Sequence, residues 1–206
     1  MYLRPVFTET DDTRIHGMIE ANSFGLLITH SAAGLEASHI PFLLTRRPGH
    51  SPGGFFLSGH LAAANPQCAL IEGHHALAVF SGPHAYISPG WYATQPAVPT
   101  WDYVAVHVSG TLEPVTDSAD ITRDLQGLAA DDPGNFSVAA MPGHFRDRML
   151  AGIRAFTLTP SSVQAQWKMS QNRSATDREC VIAALRAQSD TSADQVADLI
   201  AHTLAT

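Results

Sequence analysis

The sequence predicts a mainly β protein with peripheral helices, an α+β chain whose strands close or nearly close into a barrel. Three observations carry this. Short apolar runs recur between residues 24 and 116, each bounded by Gly, Pro, Asn or Asp. Helical periodicity is confined to a stretch near the N-terminus and to the chain after Asp117. The 206 residues suffice for one substantial core plus an appendage. The expected division is residues 1–170 as the barrel with its peripheral helices and 171–206 as a helical appendage.

In chain order, Asp11 or Asp12 caps a helix over 13–21, with Ile15, Met18 and Ile19 spaced to face a core. Residues 24–29 read as a buried strand that turns through 31–34 into a second strand over 35–45, an antiparallel hairpin. Pro41 inside that second strand marks an edge or a bulge. Residues 46–54 are a loop and 55–60 a strand. Asn65-Pro66 is a helix start, with Asn as cap and Pro at the first helical position. Residues 76–81, continued by 85–88, and 103–110 with 111–116 complete the strands, the last two meeting at a bend.

After Asp117 the texture changes. A helix is expected over 118–130, a loop over 131–142, a helix over 144–151 and a returning strand over 153–159. Ser174 to Asp177 reads as a capping box for a helix over 178–188, and Ser192 with Gln195 as a second box for a last amphipathic helix.

Bulk properties bound the function. The mean hydropathy is −0.01, no apolar run approaches the length needed to span a bilayer, and the first residues lack the apolar core of a signal peptide, so the expected location is the cytoplasm. Cys68 and Cys180 stand far apart, which suggests neither a zinc motif nor a disulfide framework. The 11 histidines are scattered and show no metal-ligand spacing. A net charge of −7 argues against a broad nucleic-acid footprint. Lys168 is the one lysine in the chain.

Four polar clusters fall at strand ends or irregular connections. The first is Ser38-His39-Ile40-Pro41, where alternation puts Ser38 and Ile40 on one face and His39 on the other. The second is Ser58-Gly59-His60 with Asn65, where glycine admits close approach of a ligand to the backbone. The third, from Gly82 to Tyr103, concentrates Tyr86, Trp91, Tyr92, Trp101 and Tyr103 among prolines. It reads as a rigid, irregular wall between two strands, either a bed for a planar ligand or a proline-braced cover over the core. The fourth, Lys168-Met169-Ser170-Gln171-Asn172-Arg173, suits a phosphate or a polar ring edge, and equally a capped helix start. There is no Walker loop, no Gly-x-Ser-x-Gly elbow and no dinucleotide fingerprint.

Taken in order, Glu36-Ala37-Ser38-His39-Ile40-Pro41, Gly59-His60 with Asn65-Pro66, Phe80-Ser81-Gly82-Pro83 through Tyr86-Ile87-Ser88-Pro89 to Trp91-Tyr92, Val98-Pro99-Thr100-Trp101, and Lys168 to Arg173 with Asp177-Arg178 resemble the PaiB family. Its members are described as FMN-binding negative transcriptional regulators, related to the split barrels of the pyridoxamine-phosphate oxidase type. The resemblance runs from Met1 to about residue 185. It implies a six-stranded antiparallel FMN-binding split barrel, paired as a homodimer, with FMN in a groove between subunits. By that analogy Ser38, His39, Ile40, Pro41, Ser58, Gly59, His60 and Asn65 line one wall. Tyr86, Trp91, Trp101, Lys168, Gln171, Asn172 and Arg173 complete the groove. This chain departs from the pattern in carrying Asp102 where Trp-Asn-Tyr is usual, and in shortening a lysine-containing insert to residues 93–97.

The resemblance implies a ligand-sensing regulator. The helix with Arg173, Arg178 and Arg186 is the best candidate for DNA contact. An FMN-dependent oxidoreductase acting on a small molecule is the alternative, since the flavin itself supplies the difficult chemistry. A haem-binding protein ranks after both, without a recognisable axial pair. No catalytic residue is assigned and no metal is expected.

Overall fold

A computed structural model describes residues 1–49 and 51–205; position 50, within the expected 46–54 loop, lies outside the described residues. The chain runs β1 (Thr8–Glu9), α1 (Asp12–Ala21), β2 (Phe24–Ser31), β3 (Gly34–Pro41), β4 (Leu43–Arg46), β5 (Phe55–Ala62), β6 (His75–Ile87), β7 (Thr100–Val115), α2 (Ser118–Leu128), α3 (Gly143–Ala151), β8 (Ile153–Lys168), α4 (Ala175–Arg186) and α5 (Thr191–Ala205). Two compact units form, residues 12–80 with 107–163, and residues 1–11 with 81–106 and 164–206.

The strands make one eight-stranded sheet in the order β3-β2-β6-β7-β8-β5-β4, with β1 added to β8. The ladder is open between β3 and β4, as in a split barrel, and it counts eight strands where six are expected. The reason is local. Phe42 gives its N–H to the Ser23 carbonyl at 2.9 Å, the last bond toward β2, and from Leu43 onward the chain pairs with β5 instead. One chain segment therefore serves two neighbours. Taking β3 and β4 as one bent strand, and setting the two-residue β1 aside, recovers the six strands of the split barrel. The break falls just after Pro41, where the sequence signals a bulge.

Phe42 at that break is 2% exposed and fills the core of the 12–80/107–163 unit, its ring 5.3 Å from Phe80 and 6.4 Å from Phe156 in edge-on pairs. Strand alternation adds Leu27, Leu57, Leu112 and Leu158, each fully buried. Full burial of such side chains is worth roughly 1.5–3 kcal/mol each before entropy is charged against it. Helix α1 covers part of this core with Ile15, Met18 and Ile19, and His16 Nε2 lies 2.7 Å from the Gly53 carbonyl.

Several expected boundaries move. The bend expected at residues 110–111 is absent and β7 is continuous, because Gly110 lets the backbone of β8 approach: a Cβ there would overlap the Thr159 carbonyl. The expected strand over 153–159 extends to Lys168 through the buried Pro160. Helix α2 is capped by Asp117, whose carboxylate accepts the N–H groups of Ala119 at 2.7 Å and Asp120 at 3.1 Å.

In the other unit α4 packs on α5 through Val181, Leu185, Val196 and Ile200, all fully buried. Ser174 caps α4 as expected, accepting the Asp177 N–H at 3.1 Å. The second expected box is corrected: Asp190 caps α5, and Ser192 is instead bonded to both backbone groups of His84.

Candidate functional site

The site residues fall in both units, and each group is built by its own strands. In the unit containing residues 81–106 and 164–206, β6 and the start of β7 carry the aromatic cluster. It is less a loop than the sequence suggests, since Tyr86 and Trp101 both sit on strands. Alternation turns them outward: Tyr86 is 46% and Trp101 54% exposed. Their rings meet edge-to-face with centroids 5.9 Å apart, and the His84 ring lies 6.1 Å from Trp101. These rings form an exposed aromatic shelf. Trp91 lies in the turn Pro89–Trp91, half-buried, and Tyr92 just beyond it is buried.

The same alternation that turns Trp101 out turns Asp102 in, where it is fully buried. Its carboxylate accepts the Ser170 hydroxyl at 2.6 Å and the Lys168 ammonium at 3.2 Å. Burial pushes the Asp102 carboxyl above its ordinary range, and the Ser170 and Lys168 bonds pull it part of the way back. Lys168 also donates to the Thr100 hydroxyl at 2.6 Å and to the Trp101 carbonyl, so its three N–H groups all have acceptors. The negative charge that Asp102 introduces is thus neutralised below the shelf.

The Lys168 to Arg173 cluster divides into spent and unspent groups. Ser170 takes the left-handed conformation, φ 55°, that turns the chain out of β8. Gln171 accepts the Met169 N–H at 2.7 Å and donates to the Trp167 carbonyl at 2.6 Å, closing that turn. Asn172 is exposed. Arg173 lies with its guanidinium 4.2 Å from the centroid of the Tyr92 ring, a cation–π contact. Asp177 accepts the Thr94 N–H at 2.8 Å, and that bond holds its carboxyl below the ordinary range while it anchors the shortened 93–97 segment.

In the unit of residues 12–80 and 107–163 the remaining residues are mostly structural. Ser38 accepts the Asn65 side-chain amide at 3.0 Å, and Asn65 caps the turn Pro66–Leu70 by accepting the Gln67 N–H at 2.9 Å. Gln67, unmarked by any sequence signal, is buried and ties β2 to β3 through the Thr29 hydroxyl at 2.9 Å and the Glu36 carbonyl at 3.2 Å. Ile40 and Gly59 face the core together; a Cβ on Gly59 would lie 2.9 Å from the Phe156 ring and 3.3 Å from Ile40. Pro41 lies opposite Phe24 in the ladder.

His39 points outward and stacks on Phe24 at 6.0 Å. Ser58 is on the opposite face of β5 from Gly59, buried, and its hydroxyl has no partner among the described residues. His60 shares that face, and burial lowers its imidazole below the ordinary value, keeping it neutral near pH 7.

The open sheet, with β3 and β4 as its bent strand, is that of a split barrel. The chain belongs to the family described as "Putative FMN-binding domain", whose sequence profile matches residues 1–162. It is 32% identical over 97% of its length, and 96% of the relative's, to the protease synthase and sporulation protein PAI 2 of Bacillus subtilis. It is 30% identical to an uncharacterised protein of Aspergillus fumigatus, over 88% of this chain and 89% of that one.

Among solved structures the fold is shared with the FAD and heme binding protein of Mycobacterium smegmatis, at TM-score 0.60 and 16% identity over 85% of this chain and 79% of that one. It is shared also with the flavocytochrome Anf3 of Azotobacter vinelandii, at TM-score 0.59 and 12% identity over 81% and 72%. The PaiB resemblance, the split-barrel class and FMN as the cofactor are borne out. No described helix is long and apolar enough to cross a membrane.

Proposed function

We propose that this chain is an FMN-dependent sensor that acts in the cytoplasm as a negative regulator of transcription. The exposed Trp101–Tyr86 pair carries the reading: a flat aromatic bed that the core does not use fits the isoalloxazine ring. FMN, when bound, supplies the redox chemistry at its ring, and the protein supplies placement. Trp101 and Tyr86 receive the ring, Lys168 holds the Trp101 carbonyl and so the strand beneath it, and Arg173 offers donors to the phosphate. Ligand binding is assigned to the split barrel of residues 1–170, with Arg173 reaching it from the first residues of the helical appendage 171–206.

The regulatory part rests on the PaiB resemblance. In α4, Arg178 donates to the Thr203 carbonyl and hydroxyl, both at 2.9 Å, and Arg186 pairs with Asp198 at 3.1 Å. Two of the three arginines expected to face DNA are therefore engaged within the protein, which favours regulation without a basic recognition helix.

The test is a visible-absorbance titration with FMN and with riboflavin. FMN is expected to bind the tighter, and Arg173→Gln to lower FMN affinity about tenfold while leaving riboflavin nearly unchanged. No spectral change with either flavin would overturn the reading; equal loss for both would move Arg173 from the phosphate to the ring.

The outward face of β2, β3 and the start of β6 supports the homodimer. Phe24 and Leu35 are 67% and 75% exposed, beside the half-buried Leu26, Ile28, Leu77 and Val79. A second copy is the occupant that a split barrel of this family implies. Light scattering at low micromolar concentration should give twice the 22.0 kDa chain mass. A monomer would exclude it.

A further inference from the structure

In the unit of residues 12–80 and 107–163, α2 and α3 meet the strand ends around a cavity of about 380 Å³. That lies within the ~300–1,000 Å³ range of small-molecule sites. Ile71, Val115, Ile121 and Leu150 give it an apolar lining. Glu72 and Arg154 line it as well, and among the described residues neither makes an ion pair, with the other or with any third residue. Arg154 Nη1 donates to the carbonyls of Ile153 at 2.9 Å and Ala151 at 3.4 Å, which fixes the guanidinium and leaves Nε and Nη2 unspent.

Two separated, opposite charges beside an apolar surface select a ligand by three requirements at once. A bare carboxylate would meet Arg154 but also Glu72; a bare amine would have the reverse problem. A purely apolar ligand would desolvate both charges without replacing their water. We propose that this cavity binds a small zwitterion with an apolar side chain, an α-amino acid of the leucine or phenylalanine type. Its carboxylate lies on Arg154, its ammonium on Glu72 and its side chain against Ile71, Ile121 and Leu150.

Cys68 lines the same cavity, its thiol donating to the Ala62 carbonyl at 3.3 Å, so it reports occupancy. The test is calorimetric titration of the full chain with L-leucine, alongside peptide mass spectrometry of iodoacetamide labelling at Cys68 and, as a control, Cys180. Saturable binding is expected, with Cys68 labelling slowed and Cys180 labelling unchanged. Arg154→Gln and Glu72→Gln should each weaken binding about tenfold or more, as should replacing leucine by leucinamide or N-acetyl-leucine.

Both substitutions are at exposed positions, and an unchanged thermal midpoint verifies folding. Absence of saturable heat together with unprotected Cys68 overturns the proposal. N-acetyl-leucine binding as tightly as leucine and indifferent to Glu72→Gln also overturns it, because the site would then be one for simple acids. Flavin binding is read separately, so either result stands without the other.

Discussion

Lys168→Met is expected to destabilise the protein by about 3–5 kcal/mol, the usual cost of leaving a buried charge without its partner. The side chain is 19% exposed and the Asp102 side chain 1%. Removing the ammonium strands the Asp102 carboxylate with Ser170 alone and frees the Trp101 carbonyl and the Thr100 hydroxyl. From sequence the cluster suits a phosphate, a ring edge or a capped helix start, and on the first of these the loss would lower FMN affinity and spare folding. With its three donors occupied, Lys168 should instead affect FMN and riboflavin alike. Denaturant melts of Lys168→Met, Asp102→Asn and the double variant decide it. The double variant should recover most of the lost stability, and a Lys168→Met protein as stable as wild type would show the pair to be inert.

The same pair sets a pH dependence of defined sign. The folded-state pKa of Asp102 is raised above its unfolded value near 3.8. Between those two values the folded state binds more protons, so stability falls as pH rises through the window. Relative to Asp102→Asn, wild type should therefore gain stability as pH is lowered through the folded pKa, with no further gain below the unfolded one. An unchanging difference across that range would contradict the assignment.

Trp101→Ala is expected to weaken flavin binding by about 2 kcal/mol or more, roughly thirtyfold, with little effect on the thermal midpoint. Trp101 is 54% exposed and its ring partners, Tyr86 and His84, lie on the same shelf, so truncation opens no core cavity. Flavin fluorescence titration on the folded variant measures the loss. A collapsed midpoint with unchanged affinity would make the ring a packing element and leave the shelf without a ligand role.

Much of the fold was legible because punctuation and alternation agree. Pro41 announced the break before Phe42, and Asn65-Pro66 announced its capped turn. The strands read too short where a breaker residue is tolerated for a tertiary reason: Gly110 because β8 lies against it, Pro160 because it is buried along β8. Composition marks the aromatic cluster, but its prolines mask the alternation of Trp101, Asp102 and Tyr103 that sends the carboxylate inward. What a sequence does not carry is which donors are already occupied. Lys168, Ser170 and Gln171 look like ligand groups until Asp102 and the carbonyls of Trp101 and Trp167 claim them, whereas Arg173 looks no different and its guanidinium makes no hydrogen bond among the described residues.

The seam at Phe42 also separates two timescales of assembly. The β2–β3 and β4–β5 pairs on either side of it join residues that are near neighbours in the chain, so both hairpins can form by local search. The opposite join sets Leu57 beside Leu158, roughly a hundred residues later, and bears the entropy of closing that long loop before any of its contacts exist. The sheet is thus sewn quickly at the bend and slowly at β5–β8. Until that slow join is made, β5 keeps a bare hydrogen-bonding edge open to other chains.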